Sequence, residues 1–212
     1  MKNTTLIFIL LFFFIGISNA QSNKSGFRRL SSPEKCWVLF HPFKAKRAYR
    51  ISLQAQKVSD SIGKTHTLDQ DRNGGQVDAF RHAFWMATLA QKIGRRSAKS
   101  LGKAHEKGNY KQFKKNKIED GTLPDQPSSE MDLFNNSIGI AIYKENKKAS
   151  QKELISSIIK DIQQGNLKTL KKDNNGNYLD CQGNLLPSNK YYGKWENSKC
   201  LISSERRPKT RI

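Results

Sequence analysis

Val77-Asp78-Ala79-Phe80-Arg81-His82-Ala83-Phe84-Trp85-Met86-Ala87 is the run that decides how this chain folds. Read at the helical period, it is apolar on almost every side, which marks a helix surrounded by other helices. Yet three ionisable side chains, Asp78, Arg81 and His82, stand inside it. A buried ionisable group is costly unless it is paired, hydrogen-bonded or bound to a metal. The run therefore predicts a helical core with a polar constellation inside it. That constellation is either a chemical site or a structural network.

Helical patterning spreads from this run in both directions. The central helix should continue to about residue 93, where Gly94 breaks it. Residues 95–107 predict a further helix with Ala98, Leu101 and His105 on one face. Arg96, Lys99, Lys103 and Lys107 share the opposite face, so the basic stripe turns to solvent and His105 turns inward. Residues 111–128 read as a charged loop, and Ser129 then caps a helix over 130–143. Ser150 with Glu153 forms a capping box ahead of the stripe Leu154, Ile155, Ile158, Ile159 and Ile162, and Gly165 closes that helix.

Upstream, residues 68–75 form a polar loop. Residues 42–62 predict a long helix with Ala48, Ser52, Ala55, Val58 and Ile62 inward, ended by Gly63. Ser32-Pro33 opens a shorter helix, with Ser32 as its cap. His41 reads as the cap of the 42–62 helix, and His66 as an exposed loop residue. Beyond Gly165, residues 167–170 and 178–179 predict a hairpin around an Asn-Gly turn in 173–177. A second turn falls at 181–184.

The fold class expected is mainly α: a single helical domain of about five helices with a small C-terminal β-hairpin region. Residues 1–20 read as a signal peptide, 21–31 as a flexible leader and 32–165 as the helical domain. Residues 166–202 read as its hairpin and loop extension, and 203–212 as a disordered basic tail.

The signal-peptide reading rests on Lys2, an apolar stretch over 6–17 and the small residues Ser18-Asn19-Ala20. The stretch falls short of the about 20 residues that a bilayer span needs. An exported chain starting at Gln21, periplasmic or extracellular, is expected, with no transmembrane segment in the mature chain.

Lys and Arg total 38 against 18 Asp and Glu, a formal charge of +20. Such a field draws anions: nucleic acid, phospholipid head groups or acidic envelope polymers. Export permits disulfides. Cys181 with Cys200 is the preferred pairing, leaving Cys36 as a small buried residue or a reactive thiol; the other two pairings stay open.

Three segments carry acid/base or metal-capable groups: Asp78 with His82, His105 with Glu106, and Asp132 with Asn135 and Asn136. Asp78 and His82 are four apart and share a helix face, as do Asp132 and Asn136. Two histidines and several carboxylates converging from three helices make a first shell for zinc or another divalent ion. His82, His105, Asp132 and Asp78 are the candidate ligands, and an open position could activate water. His82, His105, Glu106 and Asp132 are the candidate catalytic residues, with Arg81 and Asn136 on the substrate.

Each residue also has a structural alternative. Asp78 suits a helix's first turn, Asp132 completes a capping box with Ser129, and His105 suits a helix C-terminus. The two asparagines tie helices together, Glu106 is exposed, and Arg81 forms a salt bridge to Asp78 or Asp132. A second motif, Asp69-x-Asp71-x-Asn73-Gly74, matches the first half of a calcium loop, with Asp78 able to close a shortened version. Its alternative is an Asn-Gly turn entering a helix. Phosphate-cradling glycine loops, a hydrolase-type serine elbow and clustered CxxC pairs are absent from the sequence.

The strings Asp78-Ala79-Phe80-Arg81-His82-Ala83-Phe84-Trp85, Ala104-His105-Glu106 and Met131-Asp132-Leu133-Phe134-Asn135-Asn136 resemble an uncharacterised bacterial domain family. Its pattern is DAFRHAxW, AHE, MDxxNN. The similarity covers about residues 34–186. It implies a helical unit, often exported, in which the three segments belong together. It supplies no activity. The order His, then His-Glu, then Asp is also similar to the helical HD phosphohydrolases, although those place His-Asp where this chain has His105-Glu106.

The leading expectation is a hydrolase acting on an anionic, phosphate-bearing substrate, metal-assisted or working through a His–carboxylate pair. The alternative is a non-enzymatic cationic module that binds envelope polymers or nucleic acid, its polar residues structural. A toxin-like effector is a third reading.

Overall fold

The computed structural model describes residues 27–118 and 122–205. The signal peptide and the start of the leader lie outside them, as do residues 206–212 of the tail.

Helix α1 (Ser32–Phe40) and helix α2 (Pro42–Ile62) meet at His41; helix α3 (Gln76–Ile93) follows the polar loop. Helix α4 (Arg95–Phe113), helix α5 (Gln126–Glu145) and helix α6 (Gln151–Gln163) complete the body. Strand β1 (Lys168–Leu170), the one-turn helix α7 (Ser188–Tyr191) and strand β2 (Leu201–Ser203) form the C-terminal extension. The expected mainly helical class with a small C-terminal β element is what the chain adopts.

Helix α3 is the hub, packed against α2, α4, α5, α6 and β1. Only Arg81, Gln91 and Lys92 of its residues escape full burial. Its closest neighbour is α5, because Gly139 lets the two backbones touch. A Cβ built at Gly139 would lie 2.2 Å from the Ala83 carbonyl oxygen. Where α3 ends, Gly94 takes φ 90°, a left-handed conformation that glycine adopts without steric cost, and α4 starts at once.

The structure moves several expected boundaries. The cap of α1 is Ser31, which forms a capping box with Glu34, so the chain is ordered before residue 32 and residues 27–29 have helical backbone. His41 makes no side-chain cap; its Nδ1 bonds the Trp37 carbonyl and its ring stacks on Trp37. Helix α4 runs through Phe113, beyond the expected end at residue 107. Helix α5 starts at Gln126, capped by Asp125 through the Ser128 N–H. Asp125 takes the place expected of Ser129, and Asp132 therefore sits in the second turn, free of any capping duty. The capping box of Ser150 and Glu153 and the buried stripe of α6 stand as expected.

The Asn-Gly turn exists, with an antiparallel bridge between Lys172 and Tyr178 and Gly176 at φ 85°. The two-stranded sheet is a different pairing. β1 joins β2 antiparallel, with Lys168 opposite Ser203 and Leu170 opposite Leu201. Ser203 is thus in a strand and Ser204 is buried, where a disordered tail was expected. Cys181 and Cys200 form the disulfide, and Cys36 is exposed rather than buried.

Candidate metal and acid–base site

Helix α3 supplies Asp78 and His82 on one face, and α5 supplies Asp132 across the Gly139 contact. All three are buried, and their ligand atoms lie within 4.8 Å of one another. His82 Nε2 is 3.2 Å from Asp132 Oδ1 and 3.7 Å from Asp78 Oδ1. On the other side of the ring, Nδ1 is 3.4 Å from Asn136 Oδ1.

An amide oxygen only accepts, so in the Nδ1–H tautomer the ring donates to Asn136 and presents a lone pair at Nε2. Burial, reinforced by Arg81 and His105, holds the imidazole well below its ordinary pKa, so the ring is neutral. In that tautomer a neutral nitrogen lone pair faces two carboxylates; Nε2 itself makes no hydrogen bond there. A donor set of one imidazole nitrogen and two carboxylates is one that a divalent cation could bridge.

The spacing suits one. Bonds of about 2.0 to 2.2 Å to a tetrahedral zinc place ligand atoms about 3.3 to 3.6 Å apart. With an ion bound, Asn136 would act as outer partners of ligating histidines do, fixing tautomer and ring orientation. Asp78 is held in turn by the Gly74 N–H at 2.8 Å and by Arg81 at 2.6 Å. The salt bridge of Arg81 to Asp78, one of the two considered for it, is present.

His105 lies beside this group, its ring centroid 6.4 Å from that of His82 and 5.4 Å from that of Trp85. It does not join the Asp78–His82–Asp132 group. Its Nδ1 sits 3.0 Å from Glu34 Oε1 instead. Burial opposes the charge on Glu34, but hydrogen bonds from His105 and Ser31 outweigh it and hold the carboxyl below its ordinary value. Glu34 was invisible as a site residue in the sequence. Its Ser31-x-x-Glu34 capping spacing was the available signal, and that signal speaks of a helix start alone.

Glu106 is buried, contrary to the exposed alternative. Burial raises its pKa, and Asn109 and Ser129 bond its carboxyl between α4 and α5. Asn135 and Asn136 part company. Asn135 accepts from the Lys168 N–H and donates to the Lys168 carbonyl, clamping β1 to α5, while Asn136 serves His82.

A cleft of about 50 Å³ opens on the group, lined among others by Arg72, Asp78, Arg81, His82, His105 and Asp132. That is room for an ion and a little water, not for a substrate. A second, largely apolar groove of about 270 Å³ reaches the same Arg81, His82 and His105 from the other side, past Trp37, Ala48, Ser52 and Trp85.

The calcium-like loop is otherwise engaged. Asp69 accepts from the Asp71 and Gln76 N–H groups, and Asp71 from the Asn73 N–H. The Lys172 ammonium bonds both the Asp71 carboxylate and the Asn73 carbonyl, so a cationic side chain already neutralises part of the loop. His66 lies in the exposed loop, as expected.

Residues 35–166 match the family DUF6973, a domain of unknown function. The chain belongs to that family. The match holds all three site segments and stops short of the expected 186, so the DUF6973 unit ends where the C-terminal extension begins. No curated protein and no solved structure matches the chain.

Proposed function

We propose that this DUF6973 chain is an exported, metal-assisted hydrolase of a phosphate-bearing substrate. The observation that carries the reading is the buried Nε2 of His82 set beside the carboxylates of Asp78 and Asp132, with the three ligand atoms within 4.8 Å of one another. These three residues would hold a divalent ion, zinc by spacing and donor type. Such an ion polarises a phosphoryl oxygen and acidifies a bound water. Three protein ligands leave the open position that hydrolysis requires.

His105, oriented by Glu34, is placed to take a proton at the cleft. Arg81 lines both the cleft and the groove, where its guanidinium would meet a substrate anion. The apolar groove favours a substrate that carries an apolar portion. Export is supported by the apolar N-terminal stretch and by the Cys181–Cys200 disulfide, which suits an oxidising compartment. Among the described residues no helix is long and apolar enough to cross a membrane.

Elemental analysis of zinc-loaded, dialysed protein tests the reading, alongside turnover of bis(p-nitrophenyl) phosphate. Wild type should retain stoichiometric zinc and hydrolyse the ester. Asp132→Asn and His82→Gln should lose both while melting cooperatively. Equal zinc content in all three proteins, or ester turnover indifferent to chelation, defeats it.

One observation favours the alternative, a cationic module. A groove of about 670 Å³ between α4 and α5 is lined by Arg95, Arg96, Lys99, Lys103 and Lys144 and, among the described residues, by no acidic one. In that reading Lys99→Glu with Lys103→Glu abolishes salt-sensitive binding of nucleic acid or acidic envelope polymers, and the metal ligands prove dispensable.

A further inference from the structure

The corner where α1 meets α2 exposes side chains that water should not hold. Phe43 is 99% exposed, Phe40 80% and Leu39 71%. Leu53 and Tyr49 continue the patch along α2, each more than a third exposed. Single exposed apolar residues are ordinary on any protein; a contiguous group of this size at a projecting corner marks an interaction surface.

The charge around it is one-sided. From Lys35 to Ser59 the sequence holds six lysines and arginines and no aspartate or glutamate. On the solvent side of α2, Lys46, Arg47, Arg50 and Lys57 flank Phe43 and Leu53. Apolar tips inside a basic rim are what an anionic lipid surface recognises: the rim meets the head groups and the tips enter the acyl boundary.

We propose that this corner docks the protein on an anionic lipid bilayer. Two further features support a bilayer over a second copy of the chain. Self-association across a two-fold axis would bring both basic rims together, which like charges oppose. In addition, an apolar channel starts at the corner: a groove lined by Phe27, Pro42, Lys46 and Tyr49 shares Leu30, Val38 and Ala45 with the one that reaches His82 and His105. Docking there sets the mouth of the groove against the membrane. The proposal does not depend on the hydrolase reading, since no metal ligand or acid–base residue takes part.

The experiment is co-sedimentation of the full protein, in whatever processed form its host yields, with vesicles of phosphatidylcholine alone or mixed with phosphatidylglycerol. The N-terminus is read by intact mass. The protein should sediment with the mixed vesicles, weakly or not at all with neutral ones, and less as salt rises. Leu39→Ser with Phe40→Ser and Phe43→Ser should cut the partition by about ten-fold or more, with an unchanged thermal melt because these side chains support no core.

Undiminished vesicle binding by the triple variant overturns the proposal, as does absence of binding by wild type. Ultracentrifugation that finds a wild-type dimer abolished in the triple variant gives the corner to a second copy and overturns it too. So does binding of single-stranded oligonucleotide that the triple variant loses while vesicle binding persists.

Discussion

The helical body and the C-terminal extension hold themselves together by different physics. The body is cemented by burial. Phe80, Phe84, Met86, Leu89, Leu154, Ile158 and Ile162 are almost wholly excluded from water, and α3 touches nearly every other element. Its polar site is an exception embedded in that core.

The extension has short strands and little core of its own. Polar and covalent ties hold it instead: the Cys181–Cys200 disulfide, the clamp of Asn135 on Lys168, and Gln76 donating to the Ser204 carbonyl. Lys199 pairs with Asp125 at 2.7 Å beneath Tyr178 and Tyr191, with both charges buried. Asp125 also caps α5, whose second turn carries Asp132. The extension thus pins the helix end nearest the site, and the body positions everything behind it.

Three perturbations sharpen that contrast. Gly139→Val should have the largest effect. Its side chain would enter the Ala83 backbone, force α3 and α5 apart, and cost about 3 kcal/mol or more. The same displacement carries Asp132 and Asn136 away from His82, so zinc retention and the melting temperature should fall together. A variant that melts lower yet keeps its zinc would show that the site does not depend on this helix contact.

Removing the disulfide, by Cys181→Ser with Cys200→Ser, should come next at about 2 to 3 kcal/mol, the lower part of the usual range because the closed loop is short. The loss should be regional. Hydrogen exchange would quicken over residues 171–200 while amides of α3 and α6 keep their protection. Uniform loss across the chain would merge the two regions into one cooperative unit.

The smallest effect belongs to α6. Ser150→Ala removes one half of the capping box and should cost about 1 kcal/mol. Hydrogen bonds from the Ser150 backbone and side chain hold the exposed Glu153 carboxyl below its ordinary value. A depressed carboxyl contributes stability above its unfolded pKa, and that contribution is lost as pH falls through the folded value. The difference in melting temperature between wild type and Ser150→Ala should therefore shrink on acidification below pH 4.5. A difference that stayed constant would detach the cap from the carboxylate.

How far the sequence could be read follows the same division. Periodicity located α2, α3 and α6 well, because an apolar stripe is a local property. It misplaced the end of α4 and the start of α5, where lysines and polar residues carry little pattern and Asp125 caps a turn earlier than Ser129. It paired residues 167–170 with the wrong partner. The hairpin turn is real, but the sheet is closed by residues 201–203, and no local signal encodes a distant strand.

At the site, the i,i+4 spacing put Asp78 with His82, and the three-helix convergence brought in Asp132. His105 was rightly turned inward but drawn to Glu34, 71 residues away.

The sequence by itself determined the helical class, the central place of α3, the Cys181–Cys200 preference, and which residue types could assemble an acid–base or metal site. Burial patterns and spacing within one helix are written in the order of residues. Only the tertiary structure decided which groups meet: Asp132 with His82, Glu34 with His105, Lys172 with Asp71. Distance through space between separate elements is fixed by how their faces pack, as where Gly139 admits the backbone at Ala83, and chain order does not carry that information.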